Sequence, residues 1–160
     1  MKGIIHCWAL AGMAFLLGAA GQAAADKQKV YRNIASDHLE GILKDLDISF
    51  KKSTGKTDSI VYLDFEKGKT RFRLHNYNGN DLWIDVVYPG TSLEQVNRWN
   101  RKTLSSRAVL FTGDKQTSTY LECQLDCQGG VTDGMIRRFI QRFEIDAAAF
   151  AKFLGKQEDK

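Results

Sequence analysis

Few residues of this chain have the type and spacing that catalysis or metal binding requires. Its three histidines, His6, His38 and His75, lie far apart, and none belongs to a recognisable pattern of zinc ligands. The glycine-x-serine-x-glycine motif of serine hydrolases does not occur. Asp45 and Asp47 stand beside a predicted helix end, which does not favour a pair of catalytic carboxylates. The sequence therefore predicts a protein that is not an enzyme and that holds no metal and no cofactor.

Two loops carry residue types that bind phosphate or calcium in other proteins. Residues 55–57 (GKT) match the end of a phosphate-binding loop, but the first glycine of that motif would fall on Phe50. Residues 76–81 are rich in side-chain oxygens, yet a calcium loop built around Gly79 would end on Asp85 instead of the required glutamate. Both segments are therefore predicted to be turns.

The sequence offers better candidates for a non-catalytic binding site than for a catalytic site. They are polar, aromatic or basic residues on two predicted helices. The indole of Trp99 also has the size of a core anchor, and the asparagines are also suited to hydrogen bonds at a helix end. The arginines form either a solvated face or a docking surface for an acidic partner or anionic headgroups. The candidate binding residues are Asn97, Trp99, Asn100, Arg137 and Arg138.

The stretch from residue 91 to residue 111 is predicted to form a helix followed by a strand. Thr91 is the expected N-cap, and Glu94 would complete a capping box. Apolar residues then recur at helical spacing up to Trp99. From Arg107 to Phe111 the pattern alternates, as it does in a strand.

The remaining patterns predict an α+β fold, a single domain with an antiparallel sheet of five to six strands packed with helices. Ser36 is the expected cap of a first helix, Thr132 of a later helix, and Asp146 of a separate short helix after it. Asn78 and Gly79 predict a tight hairpin. Apart from the strand just described, alternation predicts strands over residues 47–52, 60–65, 71–76, 82–87 and 117–125.

The same residues carry a resemblance to a known family. The segments 96–100 (VNRWN), 106–108 (SRA), 121–125, 129–132 (GGVT) and 135–143, followed by Phe150 and Leu154, are similar to the YbjN family of bacterial sensory transduction regulators. The resemblance covers roughly residues 36 to 154, the predicted YbjN-like domain. It implies a fold like that of the type III secretion chaperones, a tendency to form homodimers, and no catalytic motif.

The N-terminus is typical of a secretory signal peptide, and the expected location is periplasmic or secreted. Lys2 precedes an apolar run, small residues end at Ala25, and a polar lead-in over residues 26–35 follows. An uncleaved membrane anchor is the alternative, although the apolar run is near the short end for a spanning helix. Because Lys2 is the only charged residue before Asp26, the net charge of +4 would fall to +3. This excess is too small to indicate a nucleic-acid partner.

Removal of residues 1–25 would leave two cysteines, Cys123 and Cys127. On one straight strand their Cα atoms would be about 13 Å apart, whereas a disulfide needs less than about 7 Å. Unless a bulge intervenes, the sequence predicts two free thiols or a bridge to another chain.

Together these patterns predict an exported, non-catalytic module that binds proteins or acts like a chaperone, with a regulatory role implied by the resemblance. Two alternatives remain at this point. One is a small-ligand-binding protein, and the other is an envelope protein that contacts a membrane surface through its arginine-rich helix. The sequence does not identify the protein partner, and it leaves open whether the chain forms a homodimer. The tail over residues 155–160 is expected to fray.

The signal-peptide prediction has a direct test. Intact-mass spectrometry of the protein isolated from its own cells is expected to show a chain that begins at Asp26, because cleavage follows the small residues that end at Ala25. A mass that includes residues 1–25 would instead support the uncleaved anchor.

Overall fold

The structure, a computed structural model, describes residues 29–57, 59–113 and 116–155. The predicted signal peptide, its cleavage site and the residues beyond 155 lie outside this part of the chain. Along the described residues the elements are α1 Ser36–Asp45, β1 Phe50–Thr54, β2 Ile60–Lys67, β3 Thr70–Tyr77, β4 Asp81–Pro89, α2 Leu93–Asn100, β5 Arg107–Thr112, β6 Thr117–Asp126 and α3 Asp133–Gly155.

The six strands form one antiparallel sheet in the order β1-β2-β3-β4-β6-β5, which confirms the α+β prediction. Strands β1, β2, β3 and β4 follow one another as antiparallel neighbours, and Asn78 and Gly79 both adopt the positive φ expected of the turn between β3 and β4. After β4 the chain passes through α2 to the far edge, and β6 returns to fill the gap between β4 and β5. The two edge strands are therefore β1 and β5.

One face of this sheet makes the core with the helices. Leu63, Leu74, Ile84 and Leu121 on neighbouring strands have no exposed surface, and their alternation with more exposed residues matches the sequence pattern. Helix α3 contributes a buried stripe over these strands, formed by Ile136, Ile140, Phe143, Ala147 and Phe150.

Helix α3 is continuous for 23 residues, so the prediction of a separate short helix capped by Asp146 is wrong. No glycine or proline lies between Gly134 and Gly155 to end the helix. The carboxylate of Asp146 instead accepts a hydrogen bond from the Ser105 hydroxyl at 2.7 Å. The buried stripe continues past it to Phe150, whose ring meets that of Trp99 edge-on at 4.9 Å between centroids.

Two helix starts also differ from the prediction by one residue. Helix α2 is capped by Ser92, which forms a reciprocal capping box with Gln95. Thr91 is buried, and its hydroxyl bonds to that of Thr119 on β6, so it is not available to cap the helix. Helix α1 begins after Ala35 and has no side-chain cap. The pair Ser92 and Gln95 has the same spacing as the predicted pair Thr91 and Glu94, so both fit the capping-box pattern. The burial of Thr91 determines that the capping box forms at Ser92.

The first strand also begins later than predicted, at Phe50 instead of Asp47. Asp47 has φ of 57°, in the left-handed region, because the chain turns sharply there at the end of α1. The N–H of Ile48 still bonds back to the carbonyl of Leu43 at 2.9 Å. Residues 47–49, which the alternation predicted to be part of the strand, therefore lie in the connection between α1 and β1.

The described part of the predicted polar lead-in is packed into the fold. Tyr31 forms a two-way antiparallel bridge with Val131, at 2.7 and 2.8 Å. Ile34 is 1% exposed, its N–H donates to the Gly79 carbonyl, and its own carbonyl accepts the side-chain amide of Asn76. The segment before α1 therefore ties the β3–β4 hairpin to the start of α3.

Substitution of Ile34 by alanine is expected to destabilise the protein by about 2–5 kcal/mol, because it removes a fully buried side chain and leaves a cavity. Val30→Ala is the matched control in the same segment, since Val30 is 61% exposed. Urea unfolding should show a lower midpoint for Ile34→Ala with an unchanged slope, and Val30→Ala within about 0.5 kcal/mol of the parent. Equal effects would mean that the segment is not part of the core.

Both described cysteines are free thiols. Burial raises the pKa of the Cys127 thiol to about 11 and also raises that of Cys123. A thiol with a raised pKa is protonated at neutral pH, and the thiolate is the reactive form.

We therefore expect Cys127 to resist alkylation by iodoacetamide at pH 8 in the folded protein and to react fully in urea. Peptide mapping by mass spectrometry distinguishes the two cysteines. Rapid modification of Cys127 under native conditions would contradict its burial.

Candidate functional site

The sheet face opposite the helices carries a row of charged side chains that crosses all six strands. Strand register places these residues directly opposite one another on neighbouring strands. We call this set the charged row, and it consists of Lys51, Asp64, Arg73, Asp85, Glu122 and Arg107 in spatial order from β1 to β5.

Most members of the charged row are held by short hydrogen bonds to a charged or polar partner. Arg73 donates two hydrogen bonds to Asp64, at 2.6 and 2.8 Å, and these bonds lower the pKa of the Asp64 carboxyl. Asp85 and Glu122 are opposite each other and only 8% and 7% exposed, so two like charges would repel at short range. Each has its own cationic or polar partner, His75 for Asp85 and Arg107 for Glu122, both at 2.5 Å.

The pair of His75 and Asp85 is the arrangement on this face that most resembles catalytic machinery. Nε2 of His75 bonds to Asp85, and a general base would then act through Nδ1. That atom is enclosed and has no hydrogen-bond partner, so no described hydroxyl or thiol is held there as a nucleophile. Tyr62 meets the imidazole edge-on at 5.0 Å between ring centroids. Within the described residues, no group of three or more histidine, cysteine or acidic side chains is placed to hold a metal ion.

An open hollow of about 1330 Å³ lies over the β1–β4 half of this face. It is the structural feature that the small-ligand alternative would use. Its lining includes Asp64, Arg73, His75 and Asp85, whose charges are already engaged with one another. An entering ligand would have to compete with these bonds, which does not favour the hollow as the main site.

Toward β5, beyond Val87 and Tyr120 at the margin of the hollow, the same face is apolar and exposed. Val87, Tyr120 and Val109 lie opposite one another on β4, β6 and β5, and the Phe111 ring meets the Tyr120 ring edge-on at 6.3 Å. Val87, Val109 and Phe111 are 50%, 38% and 61% exposed. We call these four residues the apolar patch. A contiguous group of exposed apolar side chains is typical of an interaction surface.

The apolar patch reaches edge strand β5, which is only partly closed. The side chain of Asn100 takes the place of a neighbouring strand at Ala108, accepting its N–H at 2.7 Å and donating to its carbonyl at 2.9 Å. Because peptide groups alternate in direction along an antiparallel strand, those of Leu110 and Thr112 face the same free edge. Among the described residues they have no partner on that side.

The opposite edge of the sheet is protected in a different way. Strand β1 carries Lys51 and Lys52, and lysines on an edge strand disfavour pairing with another chain. Lys52 is also held by Glu40 of α1 at 2.7 Å. The end of β5 is therefore the more accessible edge for an added strand.

The predicted binding residues on α2 have structural contacts. Trp99 is 5% exposed and packs against the rings of Phe150 and Phe153. Asn100 closes the edge of β5. Asn97 is exposed, and its carbonyl accepts the Arg101 N–H at 3.2 Å within the helix end. A binding role for these three residues stays a prediction; Asn97 and Asn100 are both exposed, and Asn100 is already engaged with Ala108.

On α3, Arg137 bonds to Asp45 of α1 at 2.6 Å, and Arg138 is exposed. The structure does not bring these arginines together with Asn97 in one site, and their binding role also stays a prediction. No helix among residues 29–57, 59–113 and 116–155 is both long and apolar enough to cross a bilayer.

The apolar patch was not predicted from the sequence. The alternation from Arg107 to Phe111 predicts a strand, but a strand pattern does not tell which of its two faces is covered. The signal available was that Val109 and Phe111 share a face with Arg107, a residue that rarely points into a core.

Comparison with known proteins supports the same family that the sequence resembles. A family model described as putative bacterial sensory transduction regulator, YbjN, matches residues 35–156. The crystal structure of YbjN from E. coli, described as a putative transcription regulator, is similar in fold with a TM-score of 0.62 at 16% identity, covering 79% of this chain and 93% of that one. A search of curated proteins finds no match. The chain therefore belongs to the YbjN family.

Proposed function

We propose that this protein is a non-catalytic regulatory module that binds an extended segment of a partner protein along the end of β5 and over the apolar patch. The observation that carries the proposal is the coincidence of an open strand edge with exposed apolar side chains at Val109 and Phe111. The family description as a regulator agrees with a role in binding.

The backbone of the partner would supply the first part of the interaction. The N–H and carbonyl groups of Leu110 and Thr112 lie on the free edge, and an extended segment can pair with them as an additional strand. Asn100 occupies the edge at Ala108, which limits this pairing to the end of β5. The added strand is therefore short, and affinity must also come from side chains.

The apolar patch would supply that second part. Alternate residues of an added strand point to the same sheet face as Val109 and Phe111. Apolar residues at those alternate positions would cover side chains that are now in water, which favours binding by about 25 cal/mol per Å² of apolar surface removed from solvent. The partner segment is thus expected to be extended and to alternate apolar with polar residues.

We further propose that the mature chain acts after export, as its N-terminal sequence predicts. Nucleic acid is not part of this proposal, because the exposed surface at β5 is apolar and a net charge of +4 is small. A second copy of the chain, in an edge-to-edge homodimer, is the competing occupant of β5.

The test uses two variants of the protein, each produced in the native cells. One carries a photo-crosslinking phenylalanine analogue in place of Phe111, and the matched control carries it in place of Lys51 on the β1 edge. We expect one mapped partner segment to be crosslinked from position 111 and not from position 51. A synthetic peptide of that segment should slow hydrogen exchange at the Leu110 and Thr112 amides. Replacement of Val109 and Phe111 by aspartate should weaken the peptide at least about tenfold, which corresponds to about 1.4 kcal/mol.

Three outcomes would contradict the proposal. Equal crosslinking from positions 51 and 111 would indicate non-specific encounter. A peptide that protects amides of β1 instead of β5 would move the site to the other edge. Crosslinking of the chain to itself alone would replace the partner segment with a homodimer.

A further inference from the structure

Helix α3 has an exposed stripe on the side away from its buried residues. Its members recur at intervals of three and four, the spacing of one helix face. Met135 and Ile145 are 38% and 69% exposed, and the basic residues between and beyond them are also exposed. The stripe consists of Met135, Arg138, Arg142, Ile145, Ala149 and Lys152.

The loop before β5 exposes a further aliphatic side chain near this helix. Leu104 is fully exposed, at 103% of the reference area. The hydroxyl of the next residue, Ser105, bonds to Asp146 at 2.7 Å, so the loop is fastened to α3 beside Ile145. We call Leu104, Met135, Arg138, Arg142, Ile145 and Lys152 the basic ridge.

The acidic residues of α3 bond to partners other than the arginines of the basic ridge. Asp133 is held by His38 at 2.8 Å, Glu144 by Lys67, and Asp146 by Ser105. Among the described residues, no carboxylate forms an ion pair with Arg138 or Arg142. Arg138 and Arg142 therefore have no direct carboxylate partner among the described residues and lie next to exposed aliphatic side chains, with the Asp146 carboxylate one helical turn from Arg142.

We propose that the basic ridge binds the surface of a membrane that contains anionic phospholipids. Cations on a helix face are attracted to anionic headgroups, and aliphatic side chains among them can enter the boundary with the acyl chains. Leu104 and Ile145 have the exposure that such insertion needs. This site is separate from the apolar patch and does not depend on the function proposed for β5.

The shape of the ridge favours a lipid surface over an acidic protein. Protein interfaces are usually anchored by aromatic side chains that fill well-packed pockets. The apolar members of the ridge are methionine, leucine and isoleucine, and they project from a convex helix and a loop tip. Such residues need only a fluid apolar layer and no complementary cavity.

The experiment is sedimentation of the protein, as isolated from its cells, with vesicles of phosphatidylcholine alone or with about one third phosphatidylglycerol. We expect binding to the anionic vesicles that weakens as salt is raised. Arg138→Gln with Arg142→Gln should lower the partition coefficient by about fivefold for each arginine removed. Leu104→Ser with Ile145→Ser should lower it further at high salt, where the apolar contribution dominates.

The matched control is Lys51→Gln with Lys69→Gln, which removes the same charge from exposed positions that line the hollow on the opposite sheet face. It should change binding by less than twofold. All variants share one N-terminus, so any contribution of residues 1–25 is common to them, and circular dichroism confirms that each is folded.

Three results would overturn the lipid assignment. The first is no sedimentation with anionic vesicles at low salt. The second is an equal loss in the control variant, which would mean non-specific charge attraction. The third is salt-sensitive binding of the ridge to a polyglutamate peptide without binding to the vesicles, which would assign the ridge to an acidic protein.

Discussion

Within the part of the chain that the structure describes, helices cover one face of the sheet and leave the other exposed, and the rest of the structure follows from that constraint. Helix α3 lays its buried stripe across the strands, and the ring of Phe143 contacts that of Phe72 edge-on. The second face must then remain compatible with water along its whole width. The charged row achieves this with one residue from each strand, and the nearly buried Asp85 and Glu122 each have a hydrogen-bond partner, His75 and Arg107 respectively.

An open sheet also has two edges, and each is treated differently. On β1 the lysines disfavour pairing. On β5 the amide of Asn100 satisfies Ala108 and leaves the end of the strand open next to the apolar patch. The asparagine that helps to identify the family is therefore an edge-closing residue in this structure. Its position explains why the proposed added strand begins at Leu110 and not at the start of β5.

The two proposed surfaces are compatible with one regulator. The apolar patch lies on the uncovered sheet face, whereas the basic ridge lies on α3 and the loop that ends at β5. A partner segment at β5 and a lipid surface at the ridge would involve different residues. If both proposals hold, the protein would present its partner-binding strand while attached to an anionic surface, a use of the fold that needs no chemistry from the chain.

The sequence by itself determined the class of the fold and most of its elements. Alternation assigned residues such as Leu74 and Ile84 to one strand face and His75 to the other, and the asparagine–glycine pair at positions 78 and 79 marked the hairpin. These are local rules of backbone geometry, and they hold wherever the strand lies. The family was also evident from the sequence, because its motif residues lie in local elements that can be read without the fold.

The tertiary structure alone decided which groups meet. Strand order put Asp85 beside Glu122, although the two are far apart in sequence, and it left Val109 and Phe111 on an uncovered face. Tertiary packing also pairs the Thr91 hydroxyl with Thr119 instead of the N-terminus of α2, and it brings the Ser105 hydroxyl to Asp146. Such outcomes depend on long-range packing, which is set by the whole chain at once. A local pattern specifies what a segment can form, and its neighbours in space determine which side of it remains available to a partner.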